Sequence, residues 1–224
     1  MKKVICMLVF GIIFSVSGAD FNSLLKEAKA AEKIKNTELA NQKYSEAYQA
    51  AIKTSDKENI IHSWCNYLRS VKLFDRARDI YEAELAKDFY NDSQRQYFLY
   101  RIAFMYIWHP KQHGYALEKV KLALSLKNAD KSGVVYYALC NYAANIYSHW
   151  YKDYESIISI AEEGLKHCKA SSHRSSLHNW LGLSYKKLEQ KELAIENYKQ
   201  ALKYGKQAKI NIAKIEKELK ELEK

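Results

Sequence analysis

The sequence predicts an all-α chain built from antiparallel helical hairpins. Three observations predict it. Apolar residues recur at i, i+3, i+4 and i+7 along nearly all of the 224 residues, the spacing of a helix face rather than of a strand. There are only 7 glycines and a single proline, Pro110, while Leu, Ala, Glu, Lys, Gln and Tyr abound. That composition favours helix and leaves little for a large sheet. Finally, a small-x3-aromatic-x2-small pattern recurs, clearest at Ala194, Tyr198 and Ala201. These three side chains share one face of a helix, and the small ones let a neighbouring helix approach closely.

The elements follow in order. Met1-Lys2-Lys3, the apolar run Val4 to Val16 and the small residues Ser17-Gly18-Ala19 read as a secretory signal peptide over residues 1–19, cut between Ala19 and Asp20. The run is short for a span of ~20 residues. Retention as an uncleaved anchor is the alternative. No cysteine follows Ala19, so a lipoprotein-type anchor is not supported, and Cys6 leaves with the leader. A repeat domain is expected over 20–205. Its first hairpin carries Ala28 and Ala31, then Ala40, Tyr44 and Ala47. The second carries Trp64, Cys65, Leu68 and Phe74, then Ala77 and Tyr81, with Glu84 where a small residue belongs. The third carries Ala103 and Tyr106, then Ala116, Val120 and Ala123. The fourth carries Ala144 and Tyr147, then Ile157, Ala161 and Gly164. Both of these need one extra residue between their helices. The fifth is Leu181-Gly182-Leu183-Ser184-Tyr185 followed by Ala194, Tyr198 and Ala201. The second-helix anchors Ala40, Ala77, Ala116, Ile157 and Ala194 step by 37, 39, 41 and 37.

Helix breaks are expected near 35–37, 54–56, 72–75, 91–93, 109–114, 128–133, 151–153, 169–172 and 188–191. Asp56, Asp75, Asp92, Asp130 and Ser172 are the expected N-caps. Gly205 is the expected helix stop. Residues 206–224 place Ile212, Ile215, Leu219 and Leu222 on one stripe among Lys and Glu. An array of repeats needs such a last helix to cover its open end. Dimerisation through this stripe is the other reading, on a segment short of the ~3–4 heptads of a sustained coiled coil.

The stretch 181–205 resembles a tetratricopeptide repeat, and weaker copies extend the resemblance over about residues 20–205. The steps exceed the family period of ~34 residues. The proline that often ends a unit is absent, Lys206 standing there in the last one. The resemblance implies an α-α superhelix, a solenoid of about five hairpins with a C-terminal capping helix. It implies a non-enzymatic scaffold that binds a peptide segment or partner protein on its concave face. The first helices would line that face. The register brings Asn22, Lys29, Lys33, His62, Asn66, Arg69, Tyr97, Tyr100, Phe104, Trp108, Asn141, Asn145, His149, Asn179, Leu183 and Lys187 to it. Asn amides can clamp a peptide backbone and basic groups can take carboxylates. Packing or plain solvation are the alternatives for each. The basic and Asn pattern with which some members grip a chaperone tail is not reproduced.

The formal charge is +10, and loss of Lys2 and Lys3 with the leader leaves +8. The lysines are dispersed, which suits a solvated helical surface, or else an anionic partner. Nucleic acid is disfavoured by the lack of a basic stripe and by export. The partner expected is another exported or envelope protein, in the periplasm or outside a bacterial cell, with oligomeric state open. No cofactor motif occurs, and His167, Cys168, His173 and His178, or His109 with His113, are read as ordinary histidines and a thiol rather than a metal set. Glu46 and Glu196 are read as solubilising. Cys65 is expected in a small core slot. Cys140 and Cys168 fall at adjoining ends of one hairpin, so a disulfide between them is geometrically open. Two other functional classes stay open: an enzyme on a helical scaffold acting on envelope polymer, and a self-associating structural protein.

Overall fold

The computed structural model describes residues 20–107 and 111–224. The expected signal peptide, together with Trp108, His109 and Pro110, lies outside the described residues. All regular structure among the described residues is helical. The chain forms two compact units, one ending at Ala77 and one beginning at Arg78.

Unit 1 contains α1 (Phe21–Lys33), α2 (Thr37–Ala50), α3 (Thr54–Ser70) and the start of α4 (Phe74–Leu85). The small residues Ala28, Ala31, Ala40 and Ala47 are buried at the helix crossings, around the fully buried ring of Tyr44. That ring stacks on Trp64 at 6.1 Å, and its hydroxyl donates to Glu32. Burial first, then the Glu32 bond, raises the Tyr44 pKa far above the ordinary phenol value. Cys65 is buried, its thiol 3.6 Å from the Ala77 carbonyl oxygen.

Unit 2 holds the rest of α4, then α5 (Asp92–Tyr106), α6 (His113–Ser125), α7 (Val134–Ile146), α8 (Tyr154–His167), α9 (Ser171–Lys187), α10 (Lys191–Gln207) and α11 (Ala213–Leu222). The recurring face is buried here too, at Tyr81, at Ala116, Val120 and Ala123, at Ile157, Ala161 and Gly164, and at Ala194, Tyr198 and Ala201. Glu84, which breaks the pattern, is 3% exposed. Its carboxylate accepts from Tyr90 Oη and Lys87 Nζ, both at 2.6 Å. A buried carboxylate is tolerated only with such partners. Phe74, by contrast, in the part of α4 that belongs to unit 1, is 40% exposed.

The extra residue expected in the fourth hairpin is wound into the helix. Between Ala144 and Ala161 the backbone of Tyr147–Tyr151 makes a π-helical turn, the local form in which a helix absorbs an insertion. The turn carries Trp150 onto α6: its indole stacks on His113 at 4.7 Å and donates to the Ile107 carbonyl at 3.2 Å.

The expected caps are corrected. Asp56, Asp75 and Ser172 sit inside first turns, and Asp92 is the first residue of its helix. The caps with side-chain bonds are Asp20, Asn36, Asn91 and Asp153 among the described residues. Asn91 and Gln94 form a reciprocal capping box. Asp92 instead accepts from the Asn128 backbone, and Asp130 accepts from Ser132 in the turn ahead of α7. Those bonds from Ser132 hold the Asp130 carboxyl below its usual range.

Gly205 is corrected as well: it lies within α10, which runs on to Gln207. Its missing side chain makes room, because a Cβ there would be 2.5 Å from Ile212 Cγ2. The stop comes at Lys209, in the left-handed region with φ 53°. Lys35, Lys72, Lys152 and Glu189 hold the same conformation in the turns after α1, α3, the π-helical turn and α9.

Helix α11 then folds back. Ile215 and Leu219 pack with Tyr198 and Ala201, flanked by Ile195, Leu202, Ile212 and Leu222. Lys186 ties α9 to it through Glu218 at 2.7 Å and Glu221 at 3.4 Å.

Candidate functional site

In unit 2 the first helix α7 packs directly against the first helices on either side of it, α5 and α9. Tyr100 stacks on Tyr142 at 5.4 Å, and Phe104 lies 6.0 Å from the same ring, so α5 and α7 share an aromatic strip. Tyr97 continues it at 5.8 Å from Tyr100, with the Arg101 guanidinium 5.8 Å from the Tyr97 ring centre. Phe104 is 38% exposed. From α9, Trp180 Nε1 donates to Asn141 Oδ1 at 2.7 Å. Asn145 donates to the carbonyl of Asn141 at 2.7 Å, one turn back on its own helix. Asn179 is half-buried, and its side-chain amide has no hydrogen bond among the described residues. Leu183, one turn on, is half-buried.

The expected residues therefore separate into kinds. Tyr97, Tyr100 and Phe104 do line one face with α7. Asn141 and Asn145 lie there as well, but their amides are engaged. His149 is exposed on the π-helical turn, edge-on to Trp150 at 4.5 Å. Lys187 is exposed at the end of α9. Unit 1 holds Asn22, Lys29 and Lys33 exposed on α1. On α3, His62 pairs with Glu58 at 3.4 Å, and Arg69 donates to the exposed Asn66 at 3.3 Å.

Two members of the unit 2 face were missed by the sequence reading, Tyr142 and Trp180. Each follows a chosen Asn by one position. Counting at four-residue intervals passes over side chains on the shoulder of the helix, and large rings reach across from there. Their bulk was the available signal.

The histidines taken together as a loose set are dispersed among other partners. His167 bonds Glu163 at 3.1 Å, His173 stacks on Tyr137 at 3.9 Å, and His178 Nδ1 meets Asn197 Oδ1 at 3.0 Å. Burial lowers the pKa of both His173 and His178. Among the described residues no group of three His, Cys, Asp or Glu side chains could hold a metal ion. Cys65, Cys140 and Cys168 are all buried, and none of the three is in a disulfide. Cys140 and Cys168 share one core cluster with Leu177 and Leu181. Burial first, and then the nearness of Cys168, pushes the Cys140 thiol up to about 12. No described helix is long and apolar enough to cross a membrane.

No protein-family model matches the sequence, and no curated protein matches it. Solved structures do. The chain is similar to BtubC from P. vanneervenii, with TM-score 0.63 and 15% identity over 91% of this chain and 83% of that one. It is similar to the TPR-like repeats of a putative kinesin light chain from Podosopora anserina, with TM-score 0.58 and 13% identity over 84% and 96%. It is also similar to YrrB, a TPR protein described as having an unusual peptide-binding site, with TM-score 0.54 and 16% identity over 83% and 86%. At these identities the likeness shows the fold: an all-α, α-α superhelix of the tetratricopeptide-like class.

Proposed function

We propose that this protein is a non-enzymatic scaffold that binds a peptide segment or partner protein on the face of unit 2 formed by α5, α7 and α9. The observation that carries the reading is the strip Tyr100, Tyr142 and Phe104, partly open to solvent, with the half-buried Asn179 on α9 of the same unit. Aromatic rings supply contact area at low entropic cost, and an Asn amide offers both donor and acceptor to a peptide main chain. Peptide binding by a protein of similar fold agrees with this reading. The leader-like start of the chain further supports export in a bacterial cell, so the partner is another exported or envelope protein.

The test is a peptide array of exported proteins from the native host, probed with the mature chain and with Phe104→Ser and Asn179→Ala. Peptides bound by the wild type are expected to be lost or weakened about tenfold in Phe104→Ser, the effect of removing a central aromatic contact. An unchanged set of bound peptides with both variants would rule this face out.

A further inference from the structure

One end of unit 1 holds a second feature, independent of the face just described. Short turns join α1 to α2, α2 to α3 and α3 to α4, so successive helices run back and forth. The turns after α1 and after α3 therefore fall at one end of the unit, and the turn after α2 at the other. Thr37 Oγ1, at the start of α2, lies 3.0 Å from Tyr67 Oη in the last turn of α3. Asn36 and Leu39 share one groove with Arg76 of α4. Both contacts bring the two turns side by side.

This end presents Ile34, Leu73 and Phe74 to solvent, Ile34 with 70% of its surface exposed. Cations flank each of them. Lys33 and Lys35 sit on either side of Ile34, Lys72 precedes Leu73, and Arg76 follows Phe74 by two positions. All four cations are exposed and have no ion pair among the described residues. The exposed carboxylates here are Glu38 and Asp75, while Glu32 is taken up by the Tyr44 hydroxyl. The opposite end differs. Ile52 is 94% exposed there, but the one cation of its turn, Lys53, is accompanied by Asp56 and by Asp20 at the start of α1.

Apolar side chains that stand out from a turn need a shaped pocket in a rigid partner, whereas a fluid acyl layer takes them in any arrangement. Lysine and arginine stems add apolar length beneath their charge and let it reach the headgroup phosphates. We propose that this end of unit 1 docks on the surface of an anionic lipid bilayer. Ile34, Leu73 and Phe74 enter the boundary between headgroups and acyl chains, and Lys33, Lys35, Lys72 and Arg76 pair with lipid phosphates. The two contributions act together, since a few apolar groups or a few charges by themselves give marginal attachment.

The experiment is sedimentation of the mature chain, residues 20–224, which holds every described helix, with sucrose-loaded vesicles. The vesicles are phosphatidylcholine alone, or phosphatidylcholine and phosphatidylglycerol in equal parts. Binding to the mixed vesicles is expected to be at least about tenfold tighter than to phosphatidylcholine alone, and to weaken as salt is raised. Lys35→Gln/Lys72→Gln is expected to weaken it about tenfold or more, each cation near an anionic surface being worth about fivefold. Ile34→Ser, at a site too exposed to disturb the core, is expected to weaken it about fivefold. Ile52→Ser, at the opposite end, is expected to bind as the wild type does. No sedimentation with the mixed vesicles, equal binding to both vesicle types, or full binding by Lys35→Gln/Lys72→Gln would overturn the proposal. So would a loss in Ile52→Ser as large as that in Ile34→Ser. Binding of soluble polyglutamate that falls in Lys35→Gln/Lys72→Gln but not in Ile34→Ser, with no sedimentation on vesicles, would assign this end to an acidic protein instead.

Discussion

A Cβ at Gly182 would lie 2.7 Å from Cδ1 and 2.9 Å from Cγ of Tyr198, a ring with no exposed surface. The clash is with the rigid body of a phenol that has helices on every side. Gly182→Ala is therefore expected to destabilise by about 2–3 kcal/mol, the upper range for overfilling a packed core. Shrinking the ring in Gly182→Ala/Tyr198→Leu should recover part of that loss, and urea denaturation of the two variants checks both. A Gly182→Ala chain as stable as the wild type would mean the helices separate freely there. His178 gives a second expectation at this scale. Its folded-state pKa is lowered by burial, with Arg174 lowering it further and Asn197 and Glu196 raising it. The unfolded chain thus binds more protons near pH 6, so stability rises with pH through that region and is lost on acidification. Melting temperature should fall from pH 7 to pH 5, and His178→Gln should flatten that slope. Many of these residues were legible in the sequence. The buried positions Ala28, Cys65, Ala103, Ala144 and Gly182 all belong to the expected first-helix slots. The engaged amides of Asn141 and Asn145 were not legible, because a hydrogen-bond partner on another helix or a turn away has no fixed signature in one-dimensional spacing.

The turns tell the same story for elements. Four helix ends among the described residues close with a paired bond pattern. After α1, for example, Asn36 N–H meets the Ala31 carbonyl at 3.0 Å and Lys35 N–H meets the Glu32 carbonyl at 2.9 Å. Lys72, Glu189 and Lys209 repeat the arrangement. This closure places one residue at positive φ, where glycine is the usual occupant. Here the occupants are Lys and Glu, so composition hid the stops, and the one glycine suggestive of a stop, Gly205, is a close-packing residue. A side chain in that conformation costs about 1–2 kcal/mol, against ~0.5–1 kcal/mol of extra chain entropy for glycine. Lys72→Gly and Glu189→Gly are each expected to stabilise by about 0.5–1 kcal/mol. The midpoint of urea unfolding should rise with unchanged slope, and a fall in either variant would contradict the account. The N-caps slipped for a related reason. Asp and Ser are as welcome in a first turn as at the cap, and the choice between Asn91 and Asp92 is decided by the reciprocal bond with Gln94.

For the molecule as a whole, period and small-residue spacing were enough to place the five hairpins, because both are imposed by helix contact geometry. A repeat array draws its stability from neighbour-to-neighbour burial, so its last unit is the most exposed to loss. Truncation after Ala208 removes Ile215 and Leu219 from Tyr198 and Ala201. The expected cost is about 3 kcal/mol or more, from the two apolar side chains alone, and Leu219→Ala should cost about 2–3 kcal/mol by itself. Denaturation of both chains checks this, and a truncated chain of unchanged midpoint would assign α11 no covering role. The π-helical turn at Tyr147–Tyr151 has a different consequence. A residue gained there widens one coil of the rod and leaves Ala144 and Ala161 buried at their crossings. Lineages could therefore lengthen a unit by one position without rebuilding the joint beside it, and a deletion of Ser148 should yield a straight rod whose neighbours still fit.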